Sequence, residues 1–203
     1  MRITDIRALV GKPGSYRISV DDKPVGYVSA DDIFELGLVI NKEIENNSYS
    51  QLLVKVKYRS YYSDALRYVD RRLRTRAETE RYLNNRGCEP DMTIDIISRL
   101  QRSGLIDEKK VAQAYVHDAS IGRPKSRREL ELKLKQKRID TALIEEELSK
   151  ANYDDGQALD QLIAKKSQLS AYTKNQPKLF RYLLSKGFSY EDIADRIGRP
   201  KFS

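Results

Sequence analysis

Polar and apolar residues alternate with period two along Tyr16-Arg17-Ile18-Ser19-Val20, the pattern of a half-buried strand. Asp21-Asp22-Lys23-Pro24 supplies turn residues, and Val25-Gly26-Tyr27-Val28 predicts the return strand of a hairpin. Ser29-Ala30-Asp31-Asp32 offers caps for a short helix over Ile33-Phe34-Glu35-Leu36, ended by Gly37. Gln51-Leu52-Leu53-Val54-Lys55-Val56 fits either a third strand or the start of the next helix. From residue 57 the period becomes helical: Tyr62, Ala65, Leu66, Val69 and Leu73 form one stripe. Thr75-x-x-Glu78 is a capping box that opens a helix, and Arg86-Gly87 closes it. Pro90-Asp91 opens a helix carrying Ile94, Ile97 and Leu100, stopped by Gly104. Asp107 caps another, with Val111, Ala112 and Tyr115 on its apolar face. Ser126-x-x-Glu129 is a second capping box, before Leu130 and Leu134. Asp140-Thr141 begins a helix with Ile144 and Leu148, and Asp154-Asp155 one with Ala158, Leu159, Leu162 and Ile163. Pro177 suits a first helical position ahead of Leu179 and Leu183. Ser189 caps a last helix with Ile193 and Ile197, ended by Gly198 and Pro200.

This grammar repeats. Tyr82-Leu83-x-x-Arg86-Gly87-Cys88 aligns with Lys133-Leu134-x-x-Lys137-Arg138-Ile139 and with Tyr182-Leu183-x-x-Lys186-Gly187-Phe188, at spacings of 51 and 49 residues. Each unit holds three helices. The expected fold is mainly α: three tandem three-helix repeats in an elongated, curved, right-handed or solenoid-like array, preceded by a small N-terminal β-hairpin and short-helix segment. The expected divisions are 1–56 for the N-terminal segment, then 57–103, 104–152 and 153–203 for the repeats. Stacked helical repeats usually present extended binding surfaces rather than deep catalytic clefts.

Charge sharpens this picture. The chain has 203 residues and a net charge of +8. Residues 1–56 hold seven basic and eight acidic side chains, so the whole excess lies in the helical part. Two stretches are dense: six Arg against two Glu from Arg71 to Arg86, and eight Lys or Arg against two Glu from Arg123 to Arg138. Such patches attract polyanions or acidic protein faces, although a solvated helix face has the same composition. No apolar run reaches the roughly 20 residues of a membrane helix, and no secretory signal is expected. Cys88 and His117 are the single Cys and the single His, so there is no intramolecular disulfide and no Cys/His zinc site. His117 reads as structural or surface, Cys88 as a small buried apolar residue, and the tyrosines Tyr62, Tyr82, Tyr115 and Tyr182 as core. Neither a phosphate loop nor a pair of carboxylates set apart as acid and base can be argued, so no catalytic residue, metal site or cofactor is expected.

Ala65-x-x-Tyr68-x-x-Arg71-Arg72-x-Arg74-Thr75-x-x-Glu78, then Leu83-x-x-Arg86-Gly87, resembles the opening helical repeat of the RecX family. Gly104-Leu105-Ile106-Asp107 followed by Ala112-x-x-Tyr115 is similar to the link into that family's second repeat. Arg127-Arg128-x-Leu130 and Lys137-Arg138-Ile139 resemble its second-repeat helices, and the acidic hairpin segment is similar to its variable N-terminal region. The resemblance covers nearly the whole chain. It departs at Arg138, where the family usually has Gly, around Gly122 and Pro124, and in the third repeat from Asp154.

The resemblance implies a non-enzymatic, cytoplasmic modulator of the RecA recombinase in DNA repair, homologous recombination and the SOS response. Family members bind the RecA filament on single-stranded DNA, lie in its helical groove, oppose its growth and damp its ATPase, strand-exchange and coprotease functions. The expected partners are that filament and single-stranded DNA, with double-stranded DNA a further candidate, and the expected state is a monomer. Contact candidates are Arg71, Arg72, Arg74, Arg76, Arg81, Arg86, Arg123, Lys125, Arg127, Arg128, Lys133 and Lys137, because arginine favours bidentate contacts to phosphate and carboxylate. Two other classes compete. Phe188 to Ala194 reads like the first helix of a helix-turn-helix duplex-DNA regulator, but the sequence stops five residues after Gly198, short of a recognition helix. A metal-dependent nuclease would need clustered carboxylates, whereas Asp21-Asp22, Asp31-Asp32 and Glu145-Glu146-Glu147 read as a turn, a cap and a solvated face.

Overall fold

Period-two alternation and hairpin turn chemistry produce the expected strands and one more. The computed structural model describes residues 1–122, 124–173 and 175–200. Strands β1 (Ile3–Ala8), β2 (Ser15–Val20) and β3 (Lys23–Ser29) form one antiparallel sheet in the order β1-β2-β3. The sequence reading missed β1. Its register slips between Ile3 and Asp5, so the apolar residues Ile3, Ile6 and Ala8 do not alternate with period two.

Helix α1 (Ala30–Glu35) opens with a complete capping box from Ser29 to Asp32. Helix α2 (Asn46–Asp70) settles the ambiguous Gln51–Val56 run as helix. It also runs unbroken across residue 57. Leu52, Ile3, Ile18, Val20, Val28, Leu38 and Ile44 make the core between α2 and the sheet. Gly26 sits where the helix touches the sheet: a Cβ there would lie 2.2 Å from Val56 Cγ1.

The later helices follow the predicted caps. They are α3 (Arg76–Asn84), α4 (Pro90–Arg102), α5 (Glu108–Ile121), α6 (Arg127–Gln136), α7 (Thr141–Lys150), α8 (Asp155–Ser167), α9 (Ser170–Thr173), α10 (Gln176–Ser185) and α11 (Tyr190–Ile197). Asp107, Ser126, Asp140, Asp154 and Ser189 each accept a backbone N–H as N-caps. α10 begins one residue before Pro177, capped by Asn175. The apolar stripes need two corrections. On α4 the buried positions are Thr93, Ile96, Ile97 and Leu100, and Ile94 faces outward. On α2 Ala65 and Val69 are buried, whereas Leu66 is exposed, as is Leu73 beyond the helix end.

The repeated motif keeps its burial pattern and its positive φ in all three copies. Leu83, Leu134 and Leu183 are fully buried, and Cys88, Ile139 and Phe188 nearly so. Gly87, Arg138 and Gly187 take positive φ of 78°, 57° and 87° at the helix ends. The N–H groups of Cys88 and Ile139 return to the carbonyls of Leu83 and Leu134, both at 3.1 Å.

The described residues divide into two compact units: Met1–Arg72 with Thr79–Leu105, and Leu73–Glu78 with Ile106–Ser203. The second contains two cores. One joins α5, α6 and α7 around Leu130, Leu134, Ile144 and Leu148, and the other joins α8, α10 and α11 around Leu159, Phe180, Leu183 and Ile193. No helix among the described residues is long and apolar enough to cross a membrane.

Candidate functional site

The first basic stretch presents its arginines unevenly. Arg71 and Arg72 lie just past α2 and are exposed, as are Arg76 and Arg81 on α3. Arg86 lies two residues past α3, where Asp64 of α2 holds it at 2.6 Å and Tyr82 lies beneath its guanidinium, 5.0 Å from the ring centroid. Tyr82 in turn stacks face to face on Tyr68, with centroids 4.0 Å apart. Arg74 is largely buried, its guanidinium 3.9 Å from Glu78.

The second stretch is more internally engaged. Arg123 lies outside the described residues. Arg128 is exposed. Lys125 is half-buried, and its carbonyl accepts the Tyr153 hydroxyl at 2.6 Å. Arg127 pairs with Glu131 at 3.1 Å, and Lys133 with Glu129 at 2.6 Å, both one helical turn along α6. Lys137 is less exposed than Arg127 or Lys133. Its ammonium donates to Glu78 at 2.6 Å and lies 5.4 Å from the Tyr115 ring centroid.

Two of the candidates therefore converge on one carboxylate within the second unit. Glu78 accepts from Lys137 through Oε1 and from the Thr75 N–H through Oε2, with Arg74 close by. Burial alone would raise its pKa. The hydrogen bonds from Lys137 and Thr75 and the charges of Lys137 and Arg74 outweigh burial and hold it below the usual glutamate range. The same position one repeat later is Glu129, which pairs with Lys133 at 2.6 Å and approaches Lys186 at 3.9 Å. Ser126, the cap of that helix, also donates its hydroxyl to the Lys186 carbonyl at 2.6 Å. A neighbouring carboxyl behaves oppositely. Burial raises Asp155, reinforced by the Asp192 and Asp154 charges, against the Arg127 N–H that it accepts.

The acidic partners of Lys137 and Lys186 escaped the sequence reading. The alignment held the signal: Glu78 and Glu129 are 51 residues apart, each three residues after a cap hydroxyl. Arg71, Arg72, Arg76, Arg81 and Arg128 are exposed, as is Arg86 although Asp64 holds it, so a phosphate reaching any of them would meet a guanidinium. Each such phosphate contact makes binding salt-dependent.

Similarity to known proteins bears on this arrangement. The chain matches the family models "RecX, first three-helix domain" over residues 62–100 and "RecX, second three-helix domain" over residues 107–148. It is 26% identical over 192 residues to the regulatory protein RecX of Streptococcus sanguinis (strain SK36), covering 94% of this chain and 73% of that one. It is likewise 26% identical over 197 residues to the regulatory protein RecX of Clostridium botulinum (strain Eklund 17B / Type B), covering 93% and 92%. Among solved structures, one of a regulatory protein RecX superposes with a TM-score of 0.71 at 21% identity, covering 97% of this chain and 98% of that one. RecX from Lactobacillus salivarius superposes with a TM-score of 0.52 at 32% identity, covering 69% and 93%.

Proposed function

Because this chain belongs to the RecX family, whose named relatives are regulatory proteins, we propose that it modulates a RecA recombinase. It binds the RecA filament on single-stranded DNA, in the helical groove, and opposes filament extension. ATP hydrolysis, strand exchange and coprotease activity fall as a result. It acts as a cytoplasmic monomer, by binding and not by catalysis, and contacts single-stranded and also double-stranded DNA.

The observation that carries this reading is the order of the two matched three-helix domains along one chain. Three repeats, over 57–103, 104–152 and 153–203, supply the binding surface in this proposal. The exposed arginines Arg71, Arg72, Arg76, Arg81 and Arg128 support it, because a nucleoprotein filament offers them phosphates and acidic side chains. Arg74, Arg86, Arg127, Lys133 and Lys137 act mainly by shaping that surface, since carboxylates of the same fold hold them.

Co-sedimentation with RecA filaments on single-stranded DNA tests the assignment. Reversing Arg71, Arg76 and Arg128 to Glu should release the protein into the supernatant at a salt concentration where the parent chain pellets. Unchanged pelleting would reject these residues as the docking surface, and no pelleting of the parent chain would reject the filament as the partner.

A further inference from the structure

The third repeat holds an arrangement of rings and charges outside both basic stretches. Tyr172 of α9 and Tyr182 of α10 lie 5.5 Å apart between centroids, tilted by 50°. Both pack partly against the core around Phe180 and stay half-exposed. Three ammonium groups surround them. Lys166 sits 5.0 Å from the Tyr182 centroid and 5.9 Å from that of Tyr172. Lys178 lies 5.5 Å from Tyr172, and Lys186 lies 5.7 Å from Tyr182.

Among the described residues little neutralises this cluster. Among the described residues no carboxylate pairs with Lys166 or Lys178, and Lys186 has only Glu129 at 3.9 Å, which Lys133 already holds. The repeat alignment shows why. Lys178 occupies the position that is Glu78 and then Glu129 in the two preceding repeats. The first repeat has the contrasting arrangement. Its rings, Tyr68 and Tyr82, cover each other's faces at an angle of 6°, and Asp64 neutralises the arginine above them.

We propose that the Tyr172–Tyr182 cluster is a stacking subsite for single-stranded nucleic acid. One or two unpaired bases lie on the tyrosine rings, while Lys166, Lys178 and Lys186 take the adjacent backbone phosphates. The magnitudes favour this exchange. An exposed cation over a ring is a weaker contact than a base stacked on it. The displaced lysine gains a phosphate partner in place of its like-charged neighbours. An acidic protein face would satisfy the lysines but leave the rings unused. The proposal refines the reading of the chain as a protein that works on a nucleoprotein filament, and rests on it.

The test is fluorescence anisotropy of a labelled oligothymidylate of about fifteen nucleotides, against an abasic strand of equal length. It uses the full chain, Lys166→Gln/Lys178→Gln and Tyr172→Leu, each checked for its fold by circular dichroism. The parent chain should prefer the base-bearing strand. The double lysine variant should bind more weakly, with a salt slope shallower by about 0.7 for each phosphate no longer neutralised. Tyr172→Leu should weaken binding roughly 5- to 150-fold, keep the slope and lose the preference over the abasic strand. Equal binding of both strands by the parent chain, or a folded Tyr172→Leu that keeps the preference, would overturn the proposal. So would polyglutamate competing as well as the oligonucleotide, which would make the cluster a docking face for acidic protein. Inhibition of RecA ATP hydrolysis, measured alongside, separates the two readings. A parent chain that stacks bases without inhibiting RecA sinks the RecA reading alone, and one that inhibits without stacking sinks this site alone.

Discussion

Glu78 and Glu129 stand at the same point of successive repeats, three residues after a cap hydroxyl, yet they hold their lysines differently. Glu78 takes Lys137 at 2.6 Å and closes its capping box on Thr75. Glu129 leaves Lys186 at 3.9 Å, and its cap is one-sided, with the Ser126 hydroxyl accepting the Glu129 N–H. One position explains the contrast. Four residues after Glu78 stands Tyr82, and four after Glu129 stands Lys133. A lysine one helical turn on captures its glutamate locally, whereas a tyrosine offers no charge, so Glu78 is left for a lysine 59 residues away. The same sequence grammar thus builds a tight ionic contact and a loose one. Lys186, loosely held, is left to lie over Tyr182.

The largest expected effect tests whether the repeats are equivalent in their packing. Leu83, Leu134 and Leu183 are fully buried at matching positions. Each change to Ala should cost roughly 2–5 kcal/mol by urea unfolding, because it leaves a cavity as well as removing apolar packing. A loss below about 1 kcal/mol at any one of them would break the equivalence.

Next comes the ionic contrast itself. Glu78→Gln leaves the Lys137 ammonium poorly partnered in a mostly buried setting and should cost about 2 kcal/mol. Glu129→Gln should cost less than about 1 kcal/mol, its pairs being more open to water. Equal losses would contradict the account. Lys133→Met sharpens the comparison: with the local rival gone, Glu129→Gln should become more costly in that background than in the parent chain.

The N-terminal unit supplies a third carboxylate for comparison. Burial would raise Asp32, but the Ser29 N–H and hydroxyl and the Arg59 guanidinium lower its pKa from 3.8 to about 2. The folded value lies below the unfolded one, so this stabilisation is complete above pH 3.8 and fades as pH falls toward 2. Screening by water around Lys55 and Arg59 limits it to roughly 1–2 kcal/mol. Asp32→Asn should lose about that much at neutral pH, and its stability should no longer carry this share of the fall between those pH values. An unchanged pH dependence would remove Asp32 from the account.

The smallest effect is a gain. Arg138 holds a φ of 57°, where the first and third repeats have Gly87 and Gly187. Arg138→Gly should stabilise the chain by about 1 kcal/mol through release of backbone strain. By contrast, Gly187→Ala should destabilise it, because its Cβ would lie 2.7 Å from Ser126 Oγ.

Much of this was legible in the sequence, and the failures have physical causes. Caps and stripes are local, so Thr75, Asp107, Ser126 and Ser189 mark helix starts correctly. The buried leucines are local too, and the 51- and 49-residue spacings align them. β1 was hidden because its bulge spoils the alternation. Ile94 was misplaced because Thr93 and Ile96 set the phase of α4, and a threonine does not read as core. The charged residues were counted correctly but their availability was not, since Lys137 finds its partner far along the chain. The Tyr172 cluster lay in the repeat least like the family, across three helices.

The most direct measurement is ATP hydrolysis by a cognate RecA on single-stranded DNA at fixed salt, with this protein titrated in. Inhibition at well under one protein per RecA is the expected result for a protein that lies in the filament groove and opposes its growth. Inhibition only when the protein saturates the DNA would mean simple competition for the strand, and no inhibition would mean that RecA is not its target; either result would contradict the account.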